Sequence, residues 1–219
     1  MKLLIIIPAR YASTRFPGKP LAEIGGKPVI QHVVEKAAKV SSDVFVATDD
    51  DRIYRKVMAF GGQAVMTAAA HRSGTDRCFE AYCKIVSERD FSYDVVINVQ
   101  GDEPFILPEQ IRALANCFED PEIQIATLAK QFDNNTDIFD PNKVKVVFSG
   151  GGKALYFSRS PIPYCRGVET QDWFAETAFY KHVGMYAYRP EVLKEITEHE
   201  SIGIDTPADL EKAKLIYQK

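Results

Sequence analysis

Lys2-Leu3-Leu4-Ile5-Ile6-Ile7 is an apolar run behind a single lysine, and it gives way to Pro8-Ala9-Arg10-Tyr11-Ala12-Ser13-Thr14-Arg15-Phe16-Pro17-Gly18-Lys19-Pro20. An unbroken hydrophobic run of this length reads as a strand buried on both faces, the habit of a parallel sheet. The strand is expected to end at Pro8 and to open onto a basic loop. Pro28 then begins a helix, with Val29, Ile30, Val33, Val34, Ala37 and Ala38 recurring along one face. Val44-Phe45-Val46-Ala47 is a second strand. Thr48-Asp49-Asp50-Asp51 offers capping oxygens to a helix that reaches about Phe60, where Gly61-Gly62 stops it. Ala64-Val65-Met66 is a short third strand, Thr75 to Val86 a helix, and Asp94 to Val99 a fourth strand.

This alternation predicts an α/β domain with a mostly parallel sheet and right-handed crossovers, whose ligands lie beyond the carboxyl ends of the strands. Pro108 to Phe118 is a further helix, after which the pattern turns β-rich at Gln124 to Lys130, Lys143 to Phe148 and Lys153 to Phe157. Gly150-Gly151-Gly152 marks a hairpin turn. A strand pattern returns at His182 to Tyr188, and Pro207 to Tyr217 closes the chain as a helix.

The chain has 219 residues, with 27 Lys plus Arg against 30 Asp plus Glu and a formal net charge of −3. At this length roughly 70% of the unfolded surface can be buried, so no disulfide or structural metal is needed to complete a core. The charge balance excludes a general nucleic-acid coat. The N-terminal apolar run is too short to cross a bilayer, so no membrane partner is expected either, and a cytoplasmic protein is the expectation. Cys78, Cys83, Cys117 and Cys165 form no C-x-x-C pair and are expected to be free, buried thiols.

Six stretches carry chemistry. Arg10, Arg15 and Lys19 crowd the loop after the first strand, where small residues let backbone N–H groups approach phosphoryl oxygens and the cations neutralise them. The loop is neither G-x-x-x-x-G-K-[ST] nor G-x-G-x-x-G, so neither a P-loop nor a nicotinamide fold is supported. Asn98-Val99-Gln100-Gly101-Asp102-Glu103-Pro104 places Asp102 at the end of the fourth strand, where a carboxylate can bind Mg²⁺; Pro108 starts its helix too late for Asp102 to be the cap. His71-Arg72-Ser73-Gly74-Thr75-Asp76-Arg77 has the look of a capped helix start, and His71 reads as structural. Arg159 can pair with a carboxylate bidentately, and Gln100, His182 and Tyr186 can hydrogen-bond hydroxyls, although Tyr186 stands in a strand where alternate aromatics face the core. Near the end of the chain, Asp205 in Ile204-Asp205-Thr206-Pro207 reads equally as a helix start signal or as a ligand.

Ile7-Pro8-Ala9-Arg10-Tyr11 with Pro17-Gly18-Lys19-Pro20-Leu21, the Gln100-Gly101-Asp102-Glu103-Pro104 run and the Asp205 motif resemble the sugar-activating nucleotidyltransferases. The likeness is to the branch that transfers CMP from CTP to 3-deoxy-D-manno-octulosonate (Kdo) for bacterial lipopolysaccharide. It extends from Met1 to the final helix. It implies a Rossmann-like nucleotide-diphospho-sugar transferase fold, a mostly parallel mixed sheet flanked by helices. Residues 1–123 would form the nucleotide part, 124–188 a smaller β-rich sugar-binding and dimerisation subdomain, and 189–219 a return to the main domain. By the same resemblance Arg10, Lys19, Asp102 and Asp205 are catalytic, and Asp102 and Asp205 hold Mg²⁺. Pro8, Ala9, Arg10, Arg15, Lys19, Ser73, Gly74 and Gln100 bind nucleotide, with Arg77 in support near the phosphates or sugar. Gln100, Arg159, His182 and Tyr186 bind the sugar acid. CTP, Kdo and a second copy of the chain are the implied partners.

One departure stands out: residues 191–199 replace a longer Leu- and Glu-rich stretch whose Glu-Gln pair helps the family hold its sugar. Either the segment is lost or its residues are absent from this sequence, and the disorder expected of an unliganded lid favours the second. A cytidylyltransferase for another acceptor, a sialic acid or methylerythritol phosphate, is the alternative within the enzyme class. A noncatalytic nucleotide binder is the alternative outside it, but such a protein has no need to keep both Asp102 and Asp205.

Overall fold

A computed structural model describes residues 1–12, 16–71 and 73–198 of the chain. In chain order the strands are β1 (Leu3–Ala9), β2 (Glu23–Ile24), β3 (Lys27–Pro28), β4 (Val44–Thr48), β5 (Gln63–Met66), β6 (Val95–Asn98), β7 (Ile125–Gln131), β8 (Lys145–Phe148), β9 (Ala154–Ser158) and β10 (Tyr180–Tyr188). The helices are α1 (Val29–Ala37), α2 (Asp51–Ala59), α3 (Gly74–Ser87), α4 (Pro108–Asn116), α5 (Asn135–Ile138), α6 (Trp173–Glu176) and α7 (Pro190–Glu198).

Among the described residues eight strands make one sheet in the order β5-β4-β1-β6-β10-β8-β9, with β7 on the other edge of β10. The β4–β1, β1–β6 and β4–β5 pairs are parallel, whereas β10 runs antiparallel to β6, β7 and β8. β1 explains its own sequence. Successive side chains point to opposite faces: Ile5 and Ile7 enter a core cluster with α1 and α4, while Leu4 and Ile6 enter a second cluster with α3. Both faces are covered, so every position is apolar.

Pro8 does not end the strand as expected, because β1 continues through it to Ala9, paired with Ala47 and Thr48. The Ile5 N–H points toward β4, so by alternation the Pro8 nitrogen faces the β6 side, where the ladder has already stopped at Ile6–Asn98. The missing donor interrupts nothing there.

The β-rich stretch 124–188 does not build a sheet of its own. β7 to β10 extend the same sheet, and β10 splits one edge between β6, through Tyr186 to Tyr188, and β8, through Lys181. An irregularity between Val183 and Tyr186 separates the two halves. The β8–β9 hairpin turns at the expected glycines, with Gly152 at φ 79°. All four cysteines are free, but only Cys78 is buried; Cys83 and Cys117 are exposed and Cys165 is intermediate. The last two cannot be read from helical spacing, since Cys117 falls in a short 3-10 turn after α4 and Cys165 in a loop. The expected closing helix at 207–217 lies outside the described residues.

Candidate active site

The carboxyl ends of β1 and β6 lie side by side, with the Val99 N–H donating to the Ile6 carbonyl at 3.0 Å. The two loops that follow are pressed together by a glycine. A Cβ on Gly101 would stand 2.8 Å from the Pro8 carbonyl oxygen and 3.2 Å from Ile30 Cδ1, closer than real side chains tolerate. This approach brings Asp102 to the cationic loop, where Lys19 Nζ donates to Asp102 Oδ2 at 2.6 Å. Both side chains are close to half exposed, 40% and 47%, so the pair faces the solvent that a substrate would displace.

The cationic loop is fixed at its far side. The Gly18 N–H donates to the Tyr11 carbonyl at 2.8 Å, and Gly18 takes the left-handed conformation, φ 72°, with the Tyr11 ring packed against it. The Arg52 guanidinium covers the Tyr11 ring, 3.3 Å from its centroid. Arg52 is itself held by Asp50, the N-cap of α2, through bonds of 2.9 and 2.6 Å.

Arg10 Nη1 donates to the His71 carbonyl at 3.3 Å, joining the first loop to the one before α3. That loop is organised by Glu80, whose carboxylate accepts from the Ala68 N–H at 2.9 Å, from Lys84 at 2.7 Å and from the His71 ring. The His71 side chain is structural, as expected. Ser73 and Asp76 form a reciprocal capping box, so the Ser73 hydroxyl serves the start of α3. Gly74 begins α3 against Pro8, whose Cγ would lie 3.4 Å from a Cβ there. Arg77, expected near the phosphates or sugar, is instead fully buried; it donates to Thr67 Oγ1 at 2.5 Å and pairs with Asp49 at 3.2 Å. A cation inside the helix–sheet interface cannot also reach a solvent-facing ligand.

The sugar-side candidates sit farther along the sheet. Tyr186 is opposite Asn98 in the β10–β6 ladder, two residues before Gln100, so its strand borders the loop after β6 directly. Its ring packs against the second core cluster while the residue stays partly exposed. His182, Tyr186 and Tyr188 form an aromatic row, with ring centroids 5.2 and 6.0 Å apart, and Phe157 meets His182 edge-on at 5.1 Å. Thr127 Oγ1 lies 2.8 Å from the Met185 carbonyl, to which it donates, and 2.9 Å from His182 Nε2. With that hydroxyl proton committed, Nε2–H is the donor and Nδ1 remains an acceptor. Burial pushes the His182 pKa down, which disfavours the charged ring. Arg159 Nη1 donates to the Pro141 carbonyl at 2.9 Å.

The structure therefore gathers Pro8, Ala9, Arg10, Lys19, Gly74, Gln100 and Asp102 at one end of the sheet. Arg15 and Asp205 lie outside the described residues. Among the described residues no three His, Cys, Asp or Glu side chains come together as a metal cage. Mg²⁺ needs no such cage: it takes one or two carboxylates with phosphate oxygens and water, and a solvent-facing Asp102 suits that donor set. Beside it, burial and then the Asp102 charge raise the Glu103 pKa. Arg52 and Glu80 were not legible as site supports, since cation–π and loop-bracing contacts obey no sequence spacing.

The sheet order, the cationic loop at the end of β1 and the carboxylate at the end of β6 define a nucleotidyltransferase. A family model described as cytidylyltransferase matches residues 4–219, and the chain belongs to that family. It is 52% identical to the 3-deoxy-manno-octulosonate cytidylyltransferase of Parabacteroides distasonis, with 97% of each chain covered. It is 49% identical to the protein of the same name from Cytophaga hutchinsonii, over 98% of this chain and 85% of the relative. A solved structure of CMP:2-keto-3-deoxy-manno-octonic acid synthetase complexed with CTP superposes with a TM-score of 0.82 at 43% identity, covering 100% of this chain and 86% of that one. The 4-diphosphocytidyl-2C-methyl-D-erythritol synthase of Anaerococcus prevotii shares the fold alone, at 14% identity and a TM-score of 0.53. The match to the Parabacteroides protein runs over 247 aligned positions, more than the 219 residues here, so within the matched span the relative has residues with no counterpart in this chain.

Proposed function

We propose that this chain transfers CMP from CTP to 3-deoxy-D-manno-octulosonate, releasing pyrophosphate and supplying CMP-Kdo for lipopolysaccharide. The observation that carries the reading is the Lys19–Asp102 contact at the ends of β1 and β6. It places a cation suited to a triphosphate against a carboxylate suited to a metal ion. The identity of the acceptor is supported by relatives at 49–52% identity that bear the name.

The sugar acid and CTP are both anionic and repel each other, so the first task is neutralisation. Arg10, Arg15 and Lys19 bind the triphosphate, with Lys19 exchanging its Asp102 partner for phosphoryl oxygens. Pro8, Ala9, Ser73, Gly74 and Gln100 border the nucleotide. Arg159 takes the sugar carboxylate, and His182, Tyr186 and Gln100 orient its hydroxyls. The 2-hydroxyl oxygen of Kdo attacks the α-phosphorus as the bond to the bridging oxygen of pyrophosphate breaks, and the hydroxyl proton passes to solvent. No covalent enzyme intermediate is needed, so positioning and charge account for the acceleration. Asp102 and Asp205 are the residues that would hold Mg²⁺, which when bound supplies charge neutralisation and acidifies the attacking hydroxyl.

Two features support the finer expectations. Free, solvent-exposed Cys83 and Cys117 suit a reducing cytoplasm. The sheet edge at β9, unpaired among the described residues, exposes Leu155 and Tyr156, an apolar edge of the kind a homodimer covers. The test of function is pyrophosphate release from CTP and Mg²⁺ with a panel of acidic sugars. Release with Kdo alone supports the reading, and equal release with a sialic acid overturns it.

A further inference from the structure

Lys145 is a fully buried lysine, and among the described residues no carboxylate pairs with it. Its ammonium donates instead to two backbone carbonyls, Asp140 at 2.9 Å and Lys143 at 2.7 Å. Burying an ammonium with no carboxylate in ion-pair contact is costly, and a methionine would fill the same volume at no such cost. The charge therefore serves the carbonyls. Burial pushes the Lys145 pKa down, with Asp140 opposing and Arg159 adding to the shift, so a second cation acts on it without neutralising it.

The turn that Lys145 holds also holds Arg159. The carbonyl of Pro141, between the two that Lys145 engages, accepts from Arg159 Nη1 at 2.9 Å. Asp140 Oδ1 closes the same turn by accepting from the Asn142 N–H at 2.8 Å. In the sheet Lys145 is opposite Ser158, the residue before Arg159, and opposite Lys181, the residue before His182. The His182 N–H donates to the Val144 carbonyl at 2.8 Å. Lys145 thus stands beside both sugar-side candidates, Arg159 just past the end of β9 and His182 within β10.

We infer that Lys145 is a positioning residue for the acceptor sugar: by drawing the Asp140 and Lys143 carbonyls inward it shapes the 140–143 turn so that the Pro141 carbonyl aims Arg159 at the sugar carboxylate. The inference rests on the assignment of Arg159 to that carboxylate. Lys145 touches no substrate itself. It acts on KM for the sugar and leaves KM for CTP alone, whereas a residue that merely stabilises the sheet moves both or neither.

The experiment is steady-state kinetics of pyrophosphate release with CTP and Kdo for Lys145→Met, Arg159→Ala, the double variant and Pro141→Gly. Lys145→Met raises KM for Kdo about tenfold with KM for CTP within about twofold, and in the Arg159→Ala background it adds nothing. Pro141→Gly, at an exposed turn, raises KM for Kdo in the same direction and carries the test if Lys145→Met does not fold. If Arg159→Ala leaves KM for Kdo unchanged, the assignment of Arg159 falls and the inference with it. If Arg159→Ala raises that KM while Pro141→Gly and a folded Lys145→Met leave it alone, or if the Lys145 and Arg159 effects simply multiply, the inference alone is overturned.

Discussion

Lys19 Nζ and Asp102 Oδ2 are 2.6 Å apart although 83 residues separate them in the chain. The contact is made by the loops after β1 and β6, not by either strand, and the Gly101 approach to Pro8 is what brings them together. An ion pair this exposed contributes little to stability, about 0–1 kcal/mol. On the proposed function its value lies in binding: each charge would shield the other until an anion arrives to take Lys19 and a cation to take Asp102.

Lys19→Met should therefore leave the fold intact and weaken CTP. The expected result is a rise in KM for CTP of roughly tenfold or more together with a fall in kcat of about 10²-fold, since the ammonium meets a phosphate whose charge grows as pyrophosphate leaves. Thermal melting alongside the kinetics checks the first half. A large loss of melting temperature would show that the pair is structural.

Gly101→Ala tests the geometry behind the contact. The added methyl meets the Pro8 carbonyl at 2.8 Å, and backbone on both sides cannot yield as a flexible side chain does. A cost of about 1–3 kcal/mol in stability is expected with overpacking of this sort. Turnover should fall further than stability explains, because Asp102 moves with the loop. Wild-type activity from this variant would mean that the two loops do not need to touch.

Arg52→Ala removes the guanidinium over Tyr11 and with it the brace on Gly18. KM for CTP should rise several-fold while KM for Kdo holds, because the cationic loop is the part set loose. Arg52→Lys keeps the charge but not the planar stacking, so it should recover only part of the loss. Equal kinetics for all three proteins would dismiss the brace.

The Glu80 network predicts a pH dependence. Burial pushes the Glu80 carboxyl up, but hydrogen bonds from Lys84, the Ala68 N–H and His71 outweigh it and hold the pKa at about 2, below the ordinary 4.5. A depressed carboxyl contributes stability that is complete above its unfolded pKa and is lost as pH falls toward the folded one. Denaturant unfolding should thus show wild type losing on the order of 2–3 kcal/mol between about pH 5 and pH 2 that Glu80→Gln does not lose. Parallel curves for the two proteins would remove Glu80 from that role.

The parts of the fold visible in the sequence are those where one local pattern meets one environment. Leu3 to Ile7 is apolar at every position because both faces of β1 are covered, and Ser73 with Asp76 spells out a helix start that the structure completes. β10 shows why the rest was hidden. Its strand character is evident from His182 to Tyr188, yet its insertion antiparallel beside β6 depends on partners 90 residues away. Pro8 misled for a related reason, since whether a proline stops a strand depends on which edge its nitrogen faces. Lys145 was invisible as a buried residue because nothing local marks a lysine whose acceptors are the carbonyls of its own turn. In the candidate site, residue types and strand ends pointed to Arg10, Lys19 and Asp102, which the structure brings together, but the contacts that hold their loops, Arg52 on Tyr11 and Glu80 on His71, join side chains that no spacing rule connects.

The account is tested most directly by pyrophosphate release from Asp102→Asn with CTP, Kdo and saturating Mg²⁺, beside wild type. The substitution keeps the size and the exposed position of the side chain and removes its charge. The account predicts a folded protein whose kcat is lower by about 10³-fold or more. A folded Asp102→Asn that releases pyrophosphate within tenfold of the wild-type rate would contradict it.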